Sequence, residues 1–432
     1  MYLAMVKQWF SSLYHRVWRR NLMRSGMVTG LILAGVLLGL ATAYRAHMRG
    51  NFHKLKAKIS TERQDTPVPR PGGQEAAVLM RSWQSDDSTP EFLSATLLPG
   101  RGMNVLQITA YLPGKGEVNL MASPSVEGAA AAMTGKGEDA DGQASLAMGG
   151  AFEAPWAGRI WGTPVQAGTH LTTVWRGHTI TLPVAGSGGG RVEARDGLML
   201  AQPADSAGTT GLPDGGEAQA VFHTGDFGAH WPSKTEVTVT VLLSSHTIDL
   251  TVVARNVGDV AEPISIGWHP RFAILNGNRA DSRLHVPGQM RAEVRDNGRE
   301  QPTGKLLPVA GTPYDFTMPG GVKLGTMSLD ECFVALHQGL LDNGPAAELS
   351  DPANGYGLRL TALSPTIKAM RVVAPASGDY VSIEPQFNYP DPLGREWGKE
   401  TDARMVVLQP GQSTEWKVRL ELFALAVSQS PM

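Results

Sequence analysis

The sequence predicts an all-β protein, a large antiparallel β-sandwich preceded by one N-terminal hydrophobic helix. The 432 residues include 50 glycines and 29 prolines, as expected for many short strands joined by turns. Apolar and polar residues alternate along several segments, which is the pattern of strands with one buried face. No helical pattern recurs between these segments, which argues against a doubly wound sheet or a TIM barrel.

The strand pattern is clearest in six segments: VLQITAYL (105–112), HLTTVWRG (170–177), EVTVTVLL (236–243), TIDLTVVARNV (247–257), GLRLTAL (357–363) and EWKVRLELFAL (415–425). Turn sequences such as LPGKGE, SGGG, LNGN and PGQS separate them. Two inserts, residues 127–150 and 202–218, are poor in hydrophobic side chains and are predicted to be loops, the first with room for one helical turn. A single β-sandwich is therefore predicted at residues 77–427.

The N-terminal part of the chain has a different character. Residues 1–64 carry eleven Lys or Arg and one acid, a net charge of +10, and the basic region 1–26 precedes a charge-free segment at 27–43. As a helix this segment would span about 25 Å, marginal but sufficient for a slightly thinned bilayer. It is predicted to be either a transmembrane anchor or the hydrophobic part of a signal peptide, with Ala41-Thr42-Ala43 as a cleavage site.

The residues around this segment bear on where the body would lie. Arg19-Arg20 and the residues after them resemble the twin-arginine export pattern, and residues 44–76 are predicted to be a polar, proline-rich linker. Both flanks of the apolar segment are basic, so the charge bias does not fix an orientation. We expect a protein anchored in the inner membrane with a periplasmic body, or one exported to the periplasm.

Charge and cysteine content exclude several functional classes. Beyond residue 64 the chain has a net charge of −12, which argues against nucleic-acid binding. Cys332 is the single cysteine, so an internal disulfide and a multi-thiolate metal site are excluded. No pair of histidines stands at the spacing of a zinc protease.

Four titratable residues stand out: Arg159 in PWAGRI, His269 in GWHPRF and Glu384 in VSIEPQ, which are segments marked by Gly, Pro or Trp, and Asp330 in SLDECF. Each has an ordinary interpretation, as a bystander histidine, a strand-ending Glu-Pro pair, a turn-capping arginine or a turn aspartate. Burial near the end of a sheet can, however, raise the pKa of a carboxylate toward the range in which it acts as a general base. A nearby imidazole would supply the complementary proton.

Taken in chain order, these motifs resemble the aldose 1-epimerase (galactose mutarotase-like) family, in particular its hexose mutarotase branch. PWAGRI resembles the early arginine motif of the family, and a strand ending in ARNVGD leads into GWHPRF, where the family has a His-Pro element. DSRLHVPG, LDECF, VSIEPQ and LQPGQS follow in family order. The resemblance covers about residues 80–425.

The resemblance implies a large sandwich with an open sugar cleft and no metal or organic cofactor. His269 would protonate the pyranose ring oxygen, and Glu384 would remove the proton of the anomeric hydroxyl. Arg159 and Asp330 would bind ring hydroxyls and orient the sugar. Trp156 and Trp268 would offer an apolar face to the sugar or pack in the core. The substrate implied is an aldohexose.

Two positions depart from the family pattern. Asp196 stands in RDGLML, where the family has a further histidine, and His178 or His230 would have to compensate for it. Arg271 stands where an aromatic residue follows the His-Pro pair. Its charge would either select an anionic sugar or point to solvent, and we favour solvent. The sequence thus predicts an aldose 1-epimerase, with a non-catalytic carbohydrate-binding sandwich as the alternative.

Overall fold

The computed structural model describes residues 36–40, 42–46, 68–81, 88–185, 192–275, 277, 279–295, 301–398 and 402–425. The chain divides into two compact units, Met1–Val68 and Pro69–Met432. In the first unit, residues 36–40 and 42–46 are helical. Most of the charge-free segment 27–43 lies outside the described residues. Among the residues that are described, no helix has both the length and the apolar character needed to cross a membrane.

In the described residues, the second unit contains 27 strands. The first fourteen are β1 (Ala77–Met80), β2 (Glu91–Leu98), β3 (Asn104–Leu112), β4 (Gly116–Asn119), β5 (Gly150–Glu153), β6 (Arg159–Val165), β7 (His170–Trp175), β8 (His178–Pro183), β9 (Val192–Arg195), β10 (Ser206–Leu212), β11 (Gly215–Gly225), β12 (Thr235–Leu243), β13 (Thr247–Asn256) and β14 (Glu262–Ile264). The others are β15 (Gly267–Pro270), β16 (Phe272–Ala273), β17 (Arg283–His285), β18 (Gly288–Val294), β19 (Pro302–Pro308), β20 (Val322–Lys323), β21 (Leu329–Leu336), β22 (Ala346–Asp351), β23 (Tyr356–Ala362), β24 (Ala369–Ala374), β25 (Tyr380–Gln386), β26 (Val406–Leu408) and β27 (Ser413–Ala424).

Helical structure in this unit is short. One α-helix, α1 (Val126–Ala132), forms within the first predicted insert because its alanines favour helix and Ser125 caps it by accepting a hydrogen bond from the amide of Gly128. Single turns of 3₁₀-helix are found at Pro71–Gly73, Pro99–Arg101, Gly137–Asp139, Gln143–Ala147, Gln166–Gly168 and Arg279–Asp281. The predicted loop with a helical turn at 127–150 therefore has somewhat more helix than expected.

Two large antiparallel sheets form the sandwich. The twelve-stranded sheet runs in the order β1-β2-β3-β5-β15-β25-β24-β21-β18-β19, with β4 added to β3 and β16 to β25. The nine-stranded sheet runs β10-β11-β12-β13-β27-β23-β22-β17-β20. The two sheets meet where Trp416 of β27 donates a hydrogen bond to the carbonyl of Pro385 on β25. Smaller sheets, β8-β7-β6-β9 and β14-β26, complete the unit.

The strands of the two large sheets differ in burial, and the site lies on strands in which nearly every residue is buried. β12 and β13 alternate between buried and partly exposed residues, as strands with one solvated face do. In β5 every residue is buried, and in β25 every residue after Tyr380 is buried. Acidic residues on β5 and β25 are thus held away from water, where an ionised group needs a partner.

The second predicted insert is not a loop. Within residues 202–218 the chain forms β10 and the start of β11, which pair in register from Ser206↔Val221 to Leu212↔Gly215. β10 is the edge strand of its sheet and is exposed along its whole length. Because edge pairing uses backbone groups, small polar side chains can form a strand without the apolar alternation on which the prediction relied.

Candidate active site

Strand register brings His269 and Glu384 together. Gly267 of β15 pairs with Gln386 of β25, so two residues further on His269 lies opposite Glu384. On its other side His269 pairs with Ala151 of β5, and Glu384 pairs with Arg371 of β24. Antiparallel pairing places directly opposed residues on the same face of the sheet, so residues far apart in sequence converge on one patch.

The carboxylate of Glu384 is fully buried and held by three neighbours. Nδ1 of His269 lies 3.0 Å from Oε1, and the hydroxyl of Ser382 donates to the same oxygen at 2.8 Å. Nη1 of Arg371 donates to Oε2 at 3.1 Å. Burial alone would raise the pKa of Glu384, but the charges of His269 and Arg371 lower it to about 2. Glu384 is therefore a carboxylate at neutral pH.

Arg371 is a site residue that the sequence analysis missed. Its guanidinium also donates to both carboxylate oxygens of Asp330, from Nε at 2.8 Å and from Nη2 at 2.9 Å. Cys332 of β21 is its partner in register on the side away from Glu384. The available signal was the single charged residue in the apolar run AMRVVA.

Arg159 and Asp330, both singled out by their motifs, lie beside each other at the partly exposed side of this cluster. Nη2 of Arg159 lies 3.5 Å from Oδ2 of Asp330, and its Nε lies 3.6 Å from Oε2 of Glu193. Asp391 fixes the start of β6, since its amide donates to the carbonyl of Arg159 and its Oδ1 accepts from the amide of Trp161. The Arg159 and Asp330 side chains are 15% and 29% exposed, so a ligand can reach them.

Glu153 is a second acid that the sequence analysis missed. Its side chain is fully buried, and Oε1 lies 3.7 Å from Nδ1 of His269. Burial, then repulsion from Asp196 and Glu384, raises the pKa of Glu153 well above the usual range. Both influences favour the neutral acid form of Glu153, which can donate to Asp196. Gly267 makes room for it, because a Cβ at that glycine would lie 2.7 Å from Oε2 of Glu153.

Asp196 is part of this group, although it stands where a histidine was expected. It is nearly buried, has a positive φ of 57°, and its amide donates to the carbonyl of Gly158. Its charge is one of those that raise the pKa of His269. The two histidines considered as substitutes lie elsewhere: His230 bonds the carbonyl of Thr181, and His178 stacks on Trp175.

Acidic neighbours stabilise the protonated form of His269. Burial lowers the pKa of His269, but the adjacent Glu384 carboxylate outweighs this, and the net pKa is raised above 6.5. The imidazole is 13% exposed, and its Nδ1 faces the carboxylates of Glu384 and Glu153. Nε2 is the ring nitrogen that does not face them. These shifts favour a protonated imidazole beside an ionised carboxylate, the two states that acid–base catalysis requires.

Three of these residues could also be metal ligands. One ligand atom each from Glu153, His269 and Glu384 lies within 4.8 Å of the other two. A metal would need neutral His269 and ionised carboxylates, whereas in the metal-free protein burial and repulsion raise the pKa of Glu153 and favour its neutral form. The positive charge opposite Glu384 already comes from His269 and Arg371. The donor set therefore fits proton transfer better than a metal.

The remaining predicted residues lie outside this contact network. The guanidinium of Arg271 stacks over the ring of Tyr380 at 3.7 Å, and Nη1 donates to the carbonyl of Ala147 at 2.6 Å. The half-buried Arg271 side chain is thus engaged by Tyr380 and Ala147, two residues beyond His269 in the chain. Trp156 and Trp268 are fully buried, which confirms the core-packing interpretation for both.

Comparisons with known proteins identify the family and the fold. The family model for aldose 1-epimerase matches residues 138–421. Among solved structures, the galactose mutarotase-like protein from Clostridium acetobutylicum has a TM-score of 0.62 at 14% identity, over 80% of this chain and 98% of that chain. The GalM/aldose epimerase homologue from C. elegans has a TM-score of 0.58 at 14% identity, over 81% and 100%. Galactose 1-epimerase from Lactobacillus acidophilus has a TM-score of 0.55 at 16% identity, over 82% and 100%.

No curated protein sequence matches the chain. At identities this low, the solved structures establish a shared galactose mutarotase-like fold. The family model covers well over half of the 432 residues and includes every predicted site residue. The protein belongs to the aldose 1-epimerase family.

Proposed function

We propose that the protein interconverts the α and β anomers of an aldohexose by acid–base ring opening and closure. The observation that carries the proposal is the 3.0 Å contact between Nδ1 of His269 and Oε1 of Glu384. The ring oxygen and the anomeric hydroxyl oxygen of an aldopyranose are bonded to the same carbon. An acid and a base that act on these two oxygens must therefore be immediate neighbours.

The reaction needs only protons moved by these two side chains. Glu384 takes the proton of the anomeric hydroxyl while His269 gives a proton to the ring oxygen, and the bond between C1 and the ring oxygen breaks. The aldehyde then rotates about C1–C2. Closure from the other face returns the protons and inverts C1. Since Glu384 is fully buried beneath His269 and Arg371, the sugar must insert between the carboxylate and the imidazole.

The partly exposed residues would orient the sugar. Arg159 and Asp330 present charged hydrogen-bonding groups at partly exposed positions, and such groups bind hydroxyls with defined geometry. Asp196 lies deeper, beside Glu153. Asp330 faces both Arg159 and Arg371, and Arg271 is engaged by Tyr380 and the Ala147 carbonyl. This pairing of cations supports a neutral aldohexose rather than an anionic sugar.

We also propose that residues 27–43 anchor the enzyme in the inner membrane or direct it to the periplasm. The support is the charge-free segment between basic flanks and the twin-arginine-like sequence before it. Cell fractionation of the full chain with a C-terminal tag tests this. Recovery of all the intact protein from the cytosol would contradict both forms of the proposal, and the mass of the N-terminus would separate anchor from cleaved signal.

The catalytic proposal is tested by following freshly dissolved α-glucose and α-galactose by polarimetry or NMR. The full chain should speed the approach to anomeric equilibrium, and Glu384→Gln should reduce kcat/KM by about 10²–10⁴-fold. Glu415→Gln, at an exposed glutamate of β27, is the matched control and should behave as wild type. A wild type no faster than Glu384→Gln would show the proposal to be wrong. Sugar binding without turnover would support the non-catalytic module.

A further inference from the structure

Arg371 links two carboxylates that the proposed reaction uses for different purposes. β24 lies between β21 and β25, and the Arg371 side chain contacts an acid on each of them. Nε and Nη2 hold Asp330 at 2.8 and 2.9 Å in a two-point contact, while Nη1 holds Glu384 at 3.1 Å. One planar guanidinium thus fixes the distance and orientation between the base and a sugar-orienting acid.

The two cations beside Glu384 have different relations to the sugar. His269 must separate from Glu384 when the two oxygens of the sugar insert between them. Arg371 approaches Oε2, on the other side of the carboxylate from the Oε1 contact with His269. A buried carboxylate that loses its counter-charge is strongly destabilised. Arg371 is therefore the cation that stays with Glu384 throughout sugar binding.

We infer that Arg371 is a positioning residue that keeps Glu384 ionised in the sugar complex and holds Asp330 in register with it. Its kinetic consequences rest on the proposed epimerase function. Its electrostatic consequences do not, because they follow from the charges in the free protein. Variants with different replacement side chains test the two parts of the inference separately.

Lysine keeps the positive charge but loses the planar fork, whereas glutamine loses the charge as well. Arg371→Lys should keep the pH dependence of kcat/KM but raise KM about tenfold, because Asp330 loses its two-point contact. Arg371→Gln should raise KM similarly. It should also show an acid limb above pH of about 4 that wild type lacks, since an opposite charge shifts a carboxyl pKa by about 1–3 units.

A titration that needs no substrate tests the electrostatic part. Burial and Arg371 both lower the pKa of His269, against the raising influence of Glu384. An NMR titration of the His269 ring in the full chain should therefore show a higher midpoint in Arg371→Gln and an unchanged one in Arg371→Lys. Arg419→Gln is the matched control, because Arg419 makes the same two-point contact with Asp249 on the other sheet. Neither its KM nor its titration should change.

The outcomes are distinct. The inference is overturned if Arg371→Gln leaves both the acid limb and the His269 midpoint unchanged, or if Arg371→Lys has the KM of wild type. A shifted midpoint in a protein that never turns over sugar would support the electrostatic role and reject the epimerase proposal. If circular dichroism shows that Arg371→Gln does not fold, Arg371→Lys decides: a raised KM with an unchanged acid limb supports the inference, and a wild-type KM overturns it.

Discussion

Nδ1 of His269 lies 3.0 Å from Oε1 of Glu384, across two neighbouring strands of the larger sheet. The contact joins residues that are 115 positions apart in sequence, and the antiparallel register of β15 and β25 brings it about. The proposed acid and base of the proton-transfer reaction thus form an ion pair with each other in the free protein. Each partner shifts the pKa of the other so that Glu384 keeps its charge and His269 its proton. The expectation that burial raises the Glu384 pKa toward that of a general base is wrong for the free protein, because the charges of His269 and Arg371 outweigh burial.

The first prediction concerns the pH dependence of catalysis. The active form needs Glu384 ionised and His269 protonated. The pKa of Glu384 is lowered to about 2, so the rate should show no acid limb while the protein is folded. The pKa of His269 is raised above 6.5, so the rate should hold through that value and fall at higher pH. A profile of kcat/KM against pH checks this, and an alkaline limb below 6.5 would contradict it.

The second prediction distinguishes the two buried glutamates near His269. Because the pKa of Glu153 is raised well above its usual range, its neutral acid is close in shape and charge to glutamine. Glu153→Gln should therefore change kcat/KM at pH 7 by no more than about threefold, while Glu384→Gln lowers it by about 10²–10⁴. Parallel rate measurements on the two variants check this. A loss as large as that of Glu384→Gln would show that Glu153 acts as an ionised group.

The third prediction concerns Asp391, which holds the strand carrying Arg159. Asp391→Ala loses the Oδ1 acceptor for the Trp161 amide and places alanine at a φ of 53°. KM should rise about fivefold to tenfold, for a lost hydrogen bond of about 1 kcal/mol, without a change in the pH profile. Asp391→Asn keeps an oxygen acceptor and tolerates this backbone conformation. It should restore most of the wild-type KM, and equal KM values in the two variants would contradict the assignment.

The fourth prediction concerns stability away from the site. Glu262 of β14 is fully buried, its Oε2 accepts from Thr235, and burial raises its pKa from 4.5 to about 7. Between these values the unfolded chain loses the proton and the folded protein keeps it. The free energy of unfolding should therefore fall as pH rises from 4.5 to 7, by on the order of 2 kcal/mol.

Denaturant unfolding at pH 5 and pH 8 measures this fall. Glu262→Gln should remove its share of the pH dependence, because the amide stays neutral at both pH values. Glu117→Gln, at an exposed glutamate of the β3–β4 hairpin, should retain the wild-type difference. An undiminished difference in Glu262→Gln would show that other groups cause the loss of stability.

The sequence predicts those parts of the structure that repeat or carry a marked motif. Alternating apolar and polar residues predict strands such as β12 and β13, because one face of each strand packs in the core and the other is solvated. His269 and Glu384 stand out because they occur in motifs with Trp, Gly or Pro. The edge strand β10 was missed, because its pairing uses backbone groups and its side chains are small and polar.

Arg371 and Glu153 show the other limit. They belong to the site because of cross-strand pairing, and a single sequence does not show which residues pair across strands. Each is, however, a lone charged residue in a run that is otherwise apolar and mostly buried, AMRVVA and GAFE. Burying a charge is costly unless it is paired or neutralised. A charged residue inside a predicted core strand is therefore a usable signal for a functional cluster.

The sole cysteine gives this site a built-in reporter. Cys332 is buried and pairs in register with Arg371, and burial raises the pKa of its thiol, so the reactive thiolate is suppressed in the closed structure. The rate at which a thiol reagent labels Cys332 therefore measures how often β21 and β24 separate from each other or from their surroundings. A sugar that binds across Asp330 and Glu384 would slow that labelling, so occupancy of the cleft could be followed without a chromophore, a label on the sugar or turnover.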